Sequence, residues 1–274
     1  MPYDRQKKIA VINDFCGFGR CSLAVSLPII SATGVQCCPL PTAIFSNHTG
    51  YKSFFSTDFT DKMNPYIDEW VKLGLHFDGI LSGYLGSEEQ IGIVKRFLSE
   101  FKREDTVTVI DPVMGDGGHV YSSYSPSLAK KMVELVGYAD ILTPNLTEAC
   151  ILTGRDYKED ITDEALFDIC SALGKMGPEK IVISGLDRGD TLENYIYEKG
   201  CKPTKVCVSK VGECRCGTGD VFASIIAADA VLGVGIVDSV RHASDFISKV
   251  LKRTLELDIP KTDGVCFEEF LKEI

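Results

Sequence analysis

The chain has 274 residues, of which 45% are hydrophobic and 25% charged, and it carries a formal net charge of -10. This length can bury a large core, and the composition excludes a disordered, collagen-like or coiled-coil protein. With 39 acidic against 29 basic residues, the chain shows no basic patch for nucleic acid, and its negative charge disfavours anionic membranes. No Ser-, Gly- or Pro-rich linker divides it, so we expect residues 1–274 to form a single domain without a separate lid domain.

The eleven cysteines predict a reducing compartment. Their number is odd and no two stand in a C-x-x-C motif, so a disulfide framework is not indicated. The apolar run ahead of Asn13 has only about four residues, too few for a signal-peptide core or a membrane-spanning helix. We therefore expect a soluble, cytoplasmic protein.

Short apolar runs alternate with longer amphipathic stretches along the chain. The short runs predict strands at 7–13, 35–42, 77–84, 106–113, 139–145 and 180–185, several of them buried on both faces. The alternating pattern at 192–198 predicts an antiparallel strand near the sheet edge. Helical periodicity predicts helices at 61–75, 87–103, 162–176, 220–233 and 236–256, with Ser87 and Thr162 as N-caps. This alternation predicts an α/β fold with a mostly parallel central sheet and helices on both faces.

Polar residues follow several predicted strands, where ligands of such sheets bind. These residues are Asp14, Tyr84, Asp111, Asp116, Asn145 and Glu148. Carboxylates at this edge could hold Mg²⁺ against nucleotide phosphates, directly or through water. Alternatively, some of them cap helices or stabilise turns, and Asp116, in a glycine-rich turn, is most open to that alternative.

The motif Gly217-Thr218-Gly219-Asp220 stands directly before a buried helical run. Its glycines allow backbone amides to turn inward, and a helix N-terminus adds free N–H groups that suit phosphate oxygens. A carboxylate beside such an anion hole is a natural base for an attacking hydroxyl. The motif alone leaves open a plain turn in which Asp220 is an ordinary helix-start carboxylate.

Other motifs carry less information. Residues 17–22 are similar to a dinucleotide-binding fingerprint, but Ser22 replaces the third glycine, which favours a tight strand-to-helix turn beside a small substrate. Cys214 and Cys216 have no second pair of ligands for zinc. His48 lies in a polar segment and His242 within an amphipathic helix, so only His48 is a candidate for the site.

Together these motifs resemble the ribokinase-like superfamily, and specifically its pyridoxal/pyridoxamine (vitamin B6) kinase family. The matching segments are FSNHTGY (45–51), LSGY (81–84), DPVMGD (111–116), LTPNLTEA (142–149) and CGTGD (216–220). The resemblance spans nearly the whole chain and implies a three-layer sandwich. It also implies ATP-dependent phosphorylation of the 5'-hydroxymethyl group of a vitamin B6 pyridine, in vitamin B6 salvage.

The resemblance also implies roles for individual residues. Asp220 would be the general base, and the backbone amides of Gly217, Thr218 and Gly219 would stabilise the transferring phosphoryl group. Glu148 and Asp116 would hold Mg²⁺ through water. The pyridine pocket would be lined by Asp14, His48, Thr49, Tyr84 and Tyr121, and the ATP side by Asp111, Asp116, Asn145, Glu148 and Ser184.

Two departures from the family pattern leave the substrate open. Many animal and enterobacterial pyridoxal kinases have serine where Asp14 stands, and a carboxylate there would favour pyridoxamine. Cys216 before GTGD is similar to kinases of the hydroxymethylpyrimidine type, although that branch usually has cysteine in place of Asp220. A hydroxymethylpyrimidine kinase of the thiamin pathway, or another small-molecule kinase of the superfamily, is therefore the alternative.

The resemblance further implies a homodimer and leaves open a requirement for a monovalent cation such as K⁺. The glycine- and serine-rich stretch 115–124 fits a flap that orders over the phosphates, with Tyr121 touching the substrate.

Overall fold

Nine strands form one sheet in the computed structural model, which describes residues 6–121 and 124–274. In chain order these strands are β1 (Lys8–Phe18), β2 (Gln36–Asn47), β3 (Ser56–Asp58), β4 (Gly79–Ser82), β5 (Val107–Ile110), β8 (Ile141–Leu142), β9 (Lys180–Asp187), β10 (Thr191–Glu198) and β11 (Thr204–Ser209). Two further strands, β6 (Gly115–Asp116) and β7 (His119–Val120), form a separate hairpin. This hairpin occupies part of the predicted flap, of which residues 122–123 lie outside the described residues.

The sheet is mostly parallel. Its order is β11-β10-β9-β8-β5-β4-β1-β2-β3, and the strands from β9 to β2 pair in parallel. The two ends of the sheet are antiparallel, through β3 on one side and through β10 and β11 on the other. The prediction of an antiparallel strand at 192–198 is confirmed.

Eight α-helices cover the two faces of this sheet in the described part of the chain. They are α1 (Leu23–Ala32), α2 (Thr60–Lys72), α3 (Glu88–Phe101), α4 (Pro126–Val136), α5 (Leu146–Thr153), α6 (Asp163–Gly174), α7 (Thr218–Leu232) and α8 (Ile236–Glu256). One core joins the sheet to α2–α6, and a second joins it to α1, α7 and α8. The predicted three-layer α/β sandwich is confirmed.

The helix starts follow local hydrogen bonding. The hydroxyl of Ser87 accepts from the Gln90 N–H at 3.2 Å, and that of Thr162 accepts from the Ala165 N–H at 3.3 Å, so both predicted N-caps are confirmed. The hydrophobic helix α7 is buried along most of its length because it lies between the sheet and its neighbours α1 and α8.

The structure differs from the sequence reading at the end of β1. The glycine segment was expected to turn after Asp14, but β1 continues to Phe18 because β2 runs alongside as far as Asn47 and supplies hydrogen-bonding partners. The register between the two strands shifts between Asn13 and Phe15. Such irregularities redirect side chains next to functional sites. The turn into α1 therefore comes later, around Gly19 to Ser22.

No helix in the two described ranges combines the length and hydrophobicity that a membrane span requires. All eleven cysteines are free thiols.

Candidate active site

The predicted site residues come from both ends of the chain and meet at the carboxyl edge of the parallel strands. Asp220, at the start of α7, accepts a hydrogen bond from Asn13 at the end of β1, with 3.1 Å between Nδ2 and Oδ1. In addition to burial, the charge of Asp14 raises the pKa of Asp220, and the charge of Asp220 raises the pKa of Asp111, so the three carboxylates lie close together. The structure thus brings the ends of β1 and β5 together with the N-terminus of α7.

The GTGD segment forms the N-terminus of α7. Gly217 is the N-cap in the left-handed region at φ 84°, and the first helical hydrogen bond runs from the Val221 N–H to the Gly217 carbonyl. The three preceding N–H groups therefore have no acceptor within the helix, and that of Thr218 makes only a 3.4 Å bond to the Arg215 carbonyl. A Cβ on Gly219 would meet no atom of residues 6–121 or 124–274 within 4 Å, so the described part of the chain leaves open space beside these donors. The geometry suits an anion.

Gly217 is required by a close approach of two backbones. A Cβ at this position would lie 1.9 Å from the carbonyl oxygen of Arg20 and 3.3 Å from the Cα of Cys21. The anion-binding loop is thus packed directly against the β1–α1 turn. Together with the left-handed φ, this contact excludes any larger residue.

Asp220 is half-buried in the first turn of α7. The surrounding protein still removes water from its carboxylate, and this burial raises its pKa to about 6. The Ser22 backbone N–H and the Asn13 side chain donate to the carboxylate and oppose the rise, while the charge of Asp14 adds to it. A carboxylate with this pKa is deprotonated at neutral pH and is a stronger proton acceptor than an ordinary aspartate.

Asp14 is buried beside Asp220, with 6% of its surface exposed. Burial raises its pKa, while hydrogen bonds from the Ser22 hydroxyl and the Cys16 thiol, 3.3 Å from Oδ2, oppose the rise. Ser22 thus donates to both carboxylates, through its hydroxyl to Asp14 and its N–H to Asp220. It does so at φ 56°, a conformation that is strained for a residue other than glycine and that often marks functional sites.

His48 is fixed at both ring nitrogens. Its Nδ1 accepts from the Gly50 N–H at 3.1 Å, so Nε2 carries the proton and donates to the carbonyl of Thr262 at 2.7 Å. A hydrogen bond with the Cys216 thiol is the main cause that raises the pKa of His48. The Cys216 thiol in turn contacts that of Cys21, so His48 and the GTGD loop are connected through sulfur.

The remaining predicted pocket residues differ in their contacts and in how far they are exposed to solvent. The Tyr84 N–H donates to Asn13 Oδ1 at 2.9 Å, and its ring packs edge-on against Tyr124. Thr49 is exposed. Tyr121 is 43% exposed, and its pKa is raised by burial and by the nearby charges of Glu148 and Asp116, so its hydroxyl faces the acidic side of the site.

Glu148 is the most constrained carboxylate of the ATP side. Its Oε1 accepts from the Met114 N–H at 3.0 Å and its Oε2 from the Asn145 N–H at 2.9 Å. Burial nonetheless raises its pKa to about 8, since only 4% of the residue is exposed. Asn145 completes a capping box with Glu148 at the start of α5, and its Nδ2 donates to the Gly115 carbonyl at 2.7 Å.

Asp111 lies between the two halves of the site. Burial raises its pKa well above the usual range, and the charges of Glu148 and Asp220 raise it further. The Thr143 hydroxyl donates to it at a long 3.4 Å. Asp111 is therefore a carboxylate that an approaching cation would stabilise.

Asp116 and Ser184 lie at the outer parts of the ATP side. Asp116 is exposed in the β6–β7 hairpin, where its Oδ1 accepts from the Gly117 N–H, as expected of a turn-stabilising residue. Ser184 lies beside Asn145, and its N–H donates to the Pro144 carbonyl at 3.0 Å. In residues 6–121 and 124–274, no three carboxylate, thiol or imidazole groups are arranged to bind one metal ion directly.

Sequence reasoning missed the residues that support the site rather than form it. Asn13 could have been found as a polar residue at the end of an apolar strand, directly before Asp14. Thr262 and Asp263 could not, because they come from a C-terminal segment without any motif. Asp263 accepts from the Tyr51 hydroxyl at 2.8 Å and thereby holds the same loop as Thr262.

Comparison with known proteins identifies the family to which this chain belongs. The sequence profile described as phosphomethylpyrimidine kinase matches residues 27–264. The chain belongs to the phosphomethylpyrimidine kinase family. The predicted family is confirmed, because pyridoxal kinases are among its relatives. The prediction of an ATP-dependent phosphotransferase is also confirmed.

Two curated relatives are pyridoxal kinases. The chain is 31% identical to that of Arabidopsis thaliana over 200 residues, covering 69% of this chain but 62% of the relative, which is less than two thirds of its length. It is 28% identical to that of Leifsonia xyli over 260 residues, covering 91% of this chain and 90% of the relative. A solved structure assigned to the phosphomethylpyrimidine kinases, from Bacteroides thetaiotaomicron and with pyridoxal, is 38% identical. It has a TM-score of 0.94 and covers 98% of this chain and 96% of that chain.

The two glycines of the GTGD loop should respond oppositely to alanine. We expect Gly217→Ala to destabilise the protein by about 2 kcal/mol or more, since it combines a positive φ with a clash against the Arg20 carbonyl. Gly219→Ala meets open space inside a helix and should leave the melting temperature unchanged or slightly higher. Thermal unfolding of both variants checks this, and equal losses would contradict the close approach.

The raised pKa of Asp220 predicts a pH-dependent gain in stability for Asp220→Asn. A carboxyl whose pKa is raised on folding stabilises the protein at low pH, and this contribution is lost as pH rises through about 6. We therefore expect Asp220→Asn to melt several degrees higher than the unmodified protein at pH 8 and at the same temperature at pH 4. Asp160→Asn, at an exposed carboxylate, is the control for loss of one negative charge. A gain independent of pH would contradict the assignment.

Proposed function

We propose that this protein is an ATP-dependent kinase that phosphorylates the 5'-hydroxymethyl group of pyridoxal, pyridoxamine or pyridoxine in vitamin B6 salvage. One observation carries the proposal: Asp220, with its pKa raised to about 6, stands at an open helix N-terminus and beside the buried pocket residue Asp14. A base, an anion-binding loop and a pocket for a small polar ring are thus adjacent. Similarity to pyridoxal kinases, and to a solved relative with pyridoxal, supports this choice of substrate.

In the proposed reaction, Asp220 takes the proton of the substrate hydroxyl as its oxygen forms a bond to the γ-phosphorus of ATP. The bond from that phosphorus to the β–γ bridging oxygen breaks, and ADP leaves. The amides of Gly217, Thr218 and Gly219 donate to the oxygens of the transferring phosphoryl group, where negative charge accumulates. The anion-binding geometry described above supports this role.

The ATP side has the groups needed to hold Mg²⁺ through water. Both oxygens of Glu148 already accept backbone hydrogen bonds, so its carboxylate is fixed in place and contacts a hydrated ion more readily than a bare one. The raised pKa values of Glu148 and Asp111 indicate excess negative charge that a cation would relieve. Mg²⁺ supplies neutralisation of the phosphate charge when bound with ATP. Asp116, Asn145 and Ser184 would complete this side, and K⁺ remains a further candidate cation.

The pocket would bind the pyridine ring between Asp14, His48, Thr49, Tyr84 and Tyr121. A buried carboxyl at position 14 can accept from a ring hydroxyl or an ammonium group, which supports a preference for pyridoxamine. His48, held by Thr262 and Gly50, has a fixed ring orientation toward the same pocket.

The alternative substrate is a hydroxymethylpyrimidine. It is favoured by the description of the matching family and by the Cys216 thiol next to His48, which lies on the pocket side of the GTGD loop. The fold and the base would be the same for both substrates, and only the ring contacts would differ.

We also propose that residues 1–274 act as a single kinase domain without a separate lid domain, in the cytoplasm, and as a homodimer. Eleven free thiols support a reducing compartment. The dimer is supported by an aromatic patch directly before the edge strand β3, consisting of Phe54 and Phe55, which are 46% and 71% exposed. An edge strand with exposed aromatic neighbours is a surface that another copy can cover.

Turnover assays test the function. We expect MgATP-dependent phosphorylation of at least one of pyridoxal, pyridoxamine and pyridoxine, and a loss of kcat of at least about 100-fold in Asp220→Asn, because that variant lacks the base. Turnover of hydroxymethylpyrimidine alone would move the substrate to the alternative. Activity that persists in Asp220→Asn would overturn the mechanism.

The oligomeric state tests the aromatic patch. We expect the unmodified protein to be a dimer by light scattering and Phe55→Glu to be a monomer at the same concentration, since the charge would have to be buried. Leu73→Glu is the matched control, because Leu73 is equally exposed, at 70%, but lies at the end of α2. A monomer in the unmodified protein, or a dimer in Phe55→Glu, would refute this interface.

A further inference from the structure

Asn13 is a buried amide in contact with the base and with two segments of the pocket. Only 3% of its surface is exposed, at the carboxyl end of β1. Its Nδ2 donates to Asp220 Oδ1 at 3.1 Å, and its Oδ1 accepts from the N–H groups of Asp14 at 3.0 Å and Tyr84 at 2.9 Å. The side chain thus connects three parts of the chain that the sequence separates by as many as 207 positions.

The orientation of this amide is determined by its partners. A flipped Asn13 would place its NH₂ group against two backbone N–H donors and its oxygen against the Asp220 carboxylate. Gly83 leaves room for the amide, since a Cβ there would lie 2.6 Å from Asn13 Nδ2. The side chain can therefore present only a donor to Asp220.

Several titratable groups surround Asp220, and Asn13 acts against their combined effect. Asp14 from β1 contributes negative charge, while the charge of Asp220 itself adds to the raised pKa values of the buried Asp111 after β5 and of the Cys21 thiol in the β1–α1 turn. The donors on the other side are Asn13 and the Ser22 N–H. A neutral donor favours the ionised carboxylate without adding a charge that would attract the phosphates away from the anion hole.

We propose that Asn13 is a positioning residue for the reaction, which orients the Asp220 carboxylate and keeps it ionised while fixing the backbone of Asp14 and Tyr84. This inference rests on the proposed function, because it concerns the same base. Proton transfer requires the carboxylate to keep one geometry relative to the substrate hydroxyl. The rigid strand β1 supplies that geometry through one amide.

The variant Asn13→Asp tests the role while keeping the shape of the side chain. Its carboxylate can still accept from Asp14 and Tyr84, but it faces Asp220 with an oxygen, so the two carboxylates share a proton. We expect the acid limb of the kcat profile to move up by about one pH unit, with kcat at pH 6 falling about fivefold. At pH 9 kcat should recover to within a few-fold, and KM should change less than kcat. Thr106→Val, which removes a buried hydroxyl at the other end of the sheet, should not move the limb.

An unmoved acid limb, or an equal loss of kcat at every pH, would reduce Asn13 to a structural role and overturn the proposal. The proposed function fails separately, if Asp220→Asn retains turnover. If Asp220→Asn is inactive while Asn13→Asp keeps the original profile, only the role of Asn13 is refuted.

A measurement on the unmodified protein covers the case in which Asn13→Asp does not fold. The side-chain amide of Asn13, labelled with ¹⁵N and assigned through its contacts with the Asp14 and Tyr84 amide protons, should shift with pH. Its midpoint should coincide with that of the kcat acid limb, because the amide donates to the group that titrates. A signal that does not move between pH 4.5 and 8 would overturn the proposal.

Discussion

The removal of water from four carboxylates at one edge of the sheet is the constraint on which the site depends. Burial raises the pKa of Asp14, Asp111, Glu148 and Asp220, and negative neighbours add to the effect for Asp111 and Asp220. Such a cluster persists only where donors hold the charges. Glu148 has two backbone N–H groups, while Asp220 has an amide and a backbone N–H. Among the described residues, Asp111 has only a distant hydroxyl donor, so it is the member of the group that a cation would stabilise most.

The topology explains why this cluster forms. In a parallel sheet all the carboxyl ends lie on one edge, so residues after β1, β4, β5 and β8 meet without any change of strand direction. Helix α7 lies on the same face as α1 and points its N-terminus to that edge. The contact between Gly217 and the Arg20 carbonyl then sets how closely α7 approaches β1. One backbone contact, possible only for glycine, therefore controls the distance between Asp220 and the end of β1.

Much of this arrangement could be predicted from the sequence, and the exceptions have physical causes. The buried runs and the caps at Ser87 and Thr162 were predicted because hydrophobic periodicity and capping are local. The bounds of α1 were not predicted because its residues are apolar on most sides and give no amphipathic pattern, and β11 was missed because its largely exposed residues belong to an edge strand. The extension of β1 to Phe18 depends on pairing with β2, which no local pattern reveals. Position after a strand or before a helix identified GTGD, Asp14 and Glu148. Residues that hydrogen-bond to them, such as Asn13, are defined only by contacts between distant parts of the chain.

Under the proposed function, the site is held by hydrogen bonds on the side of proton transfer and is open on the side where phosphates would enter. Asn13, Ser22 and the carbonyl of Thr262 hold the base and His48 from β1, the β1–α1 turn and the C-terminal segment. In contrast, Thr49, Asp116 and Tyr121 are exposed, and no atom of the described residues lies within 4 Å of the position that a Cβ on Gly219 would take. This division follows from the chemistry, since a general base loses efficiency when it moves, while a nucleotide needs a path to the anion-binding loop. The β6–β7 hairpin carries the exposed Asp116 and precedes Tyr121, whose pKa is raised by burial and by the charges of Glu148 and Asp116, so the hairpin lies beside the acidic part of this open side.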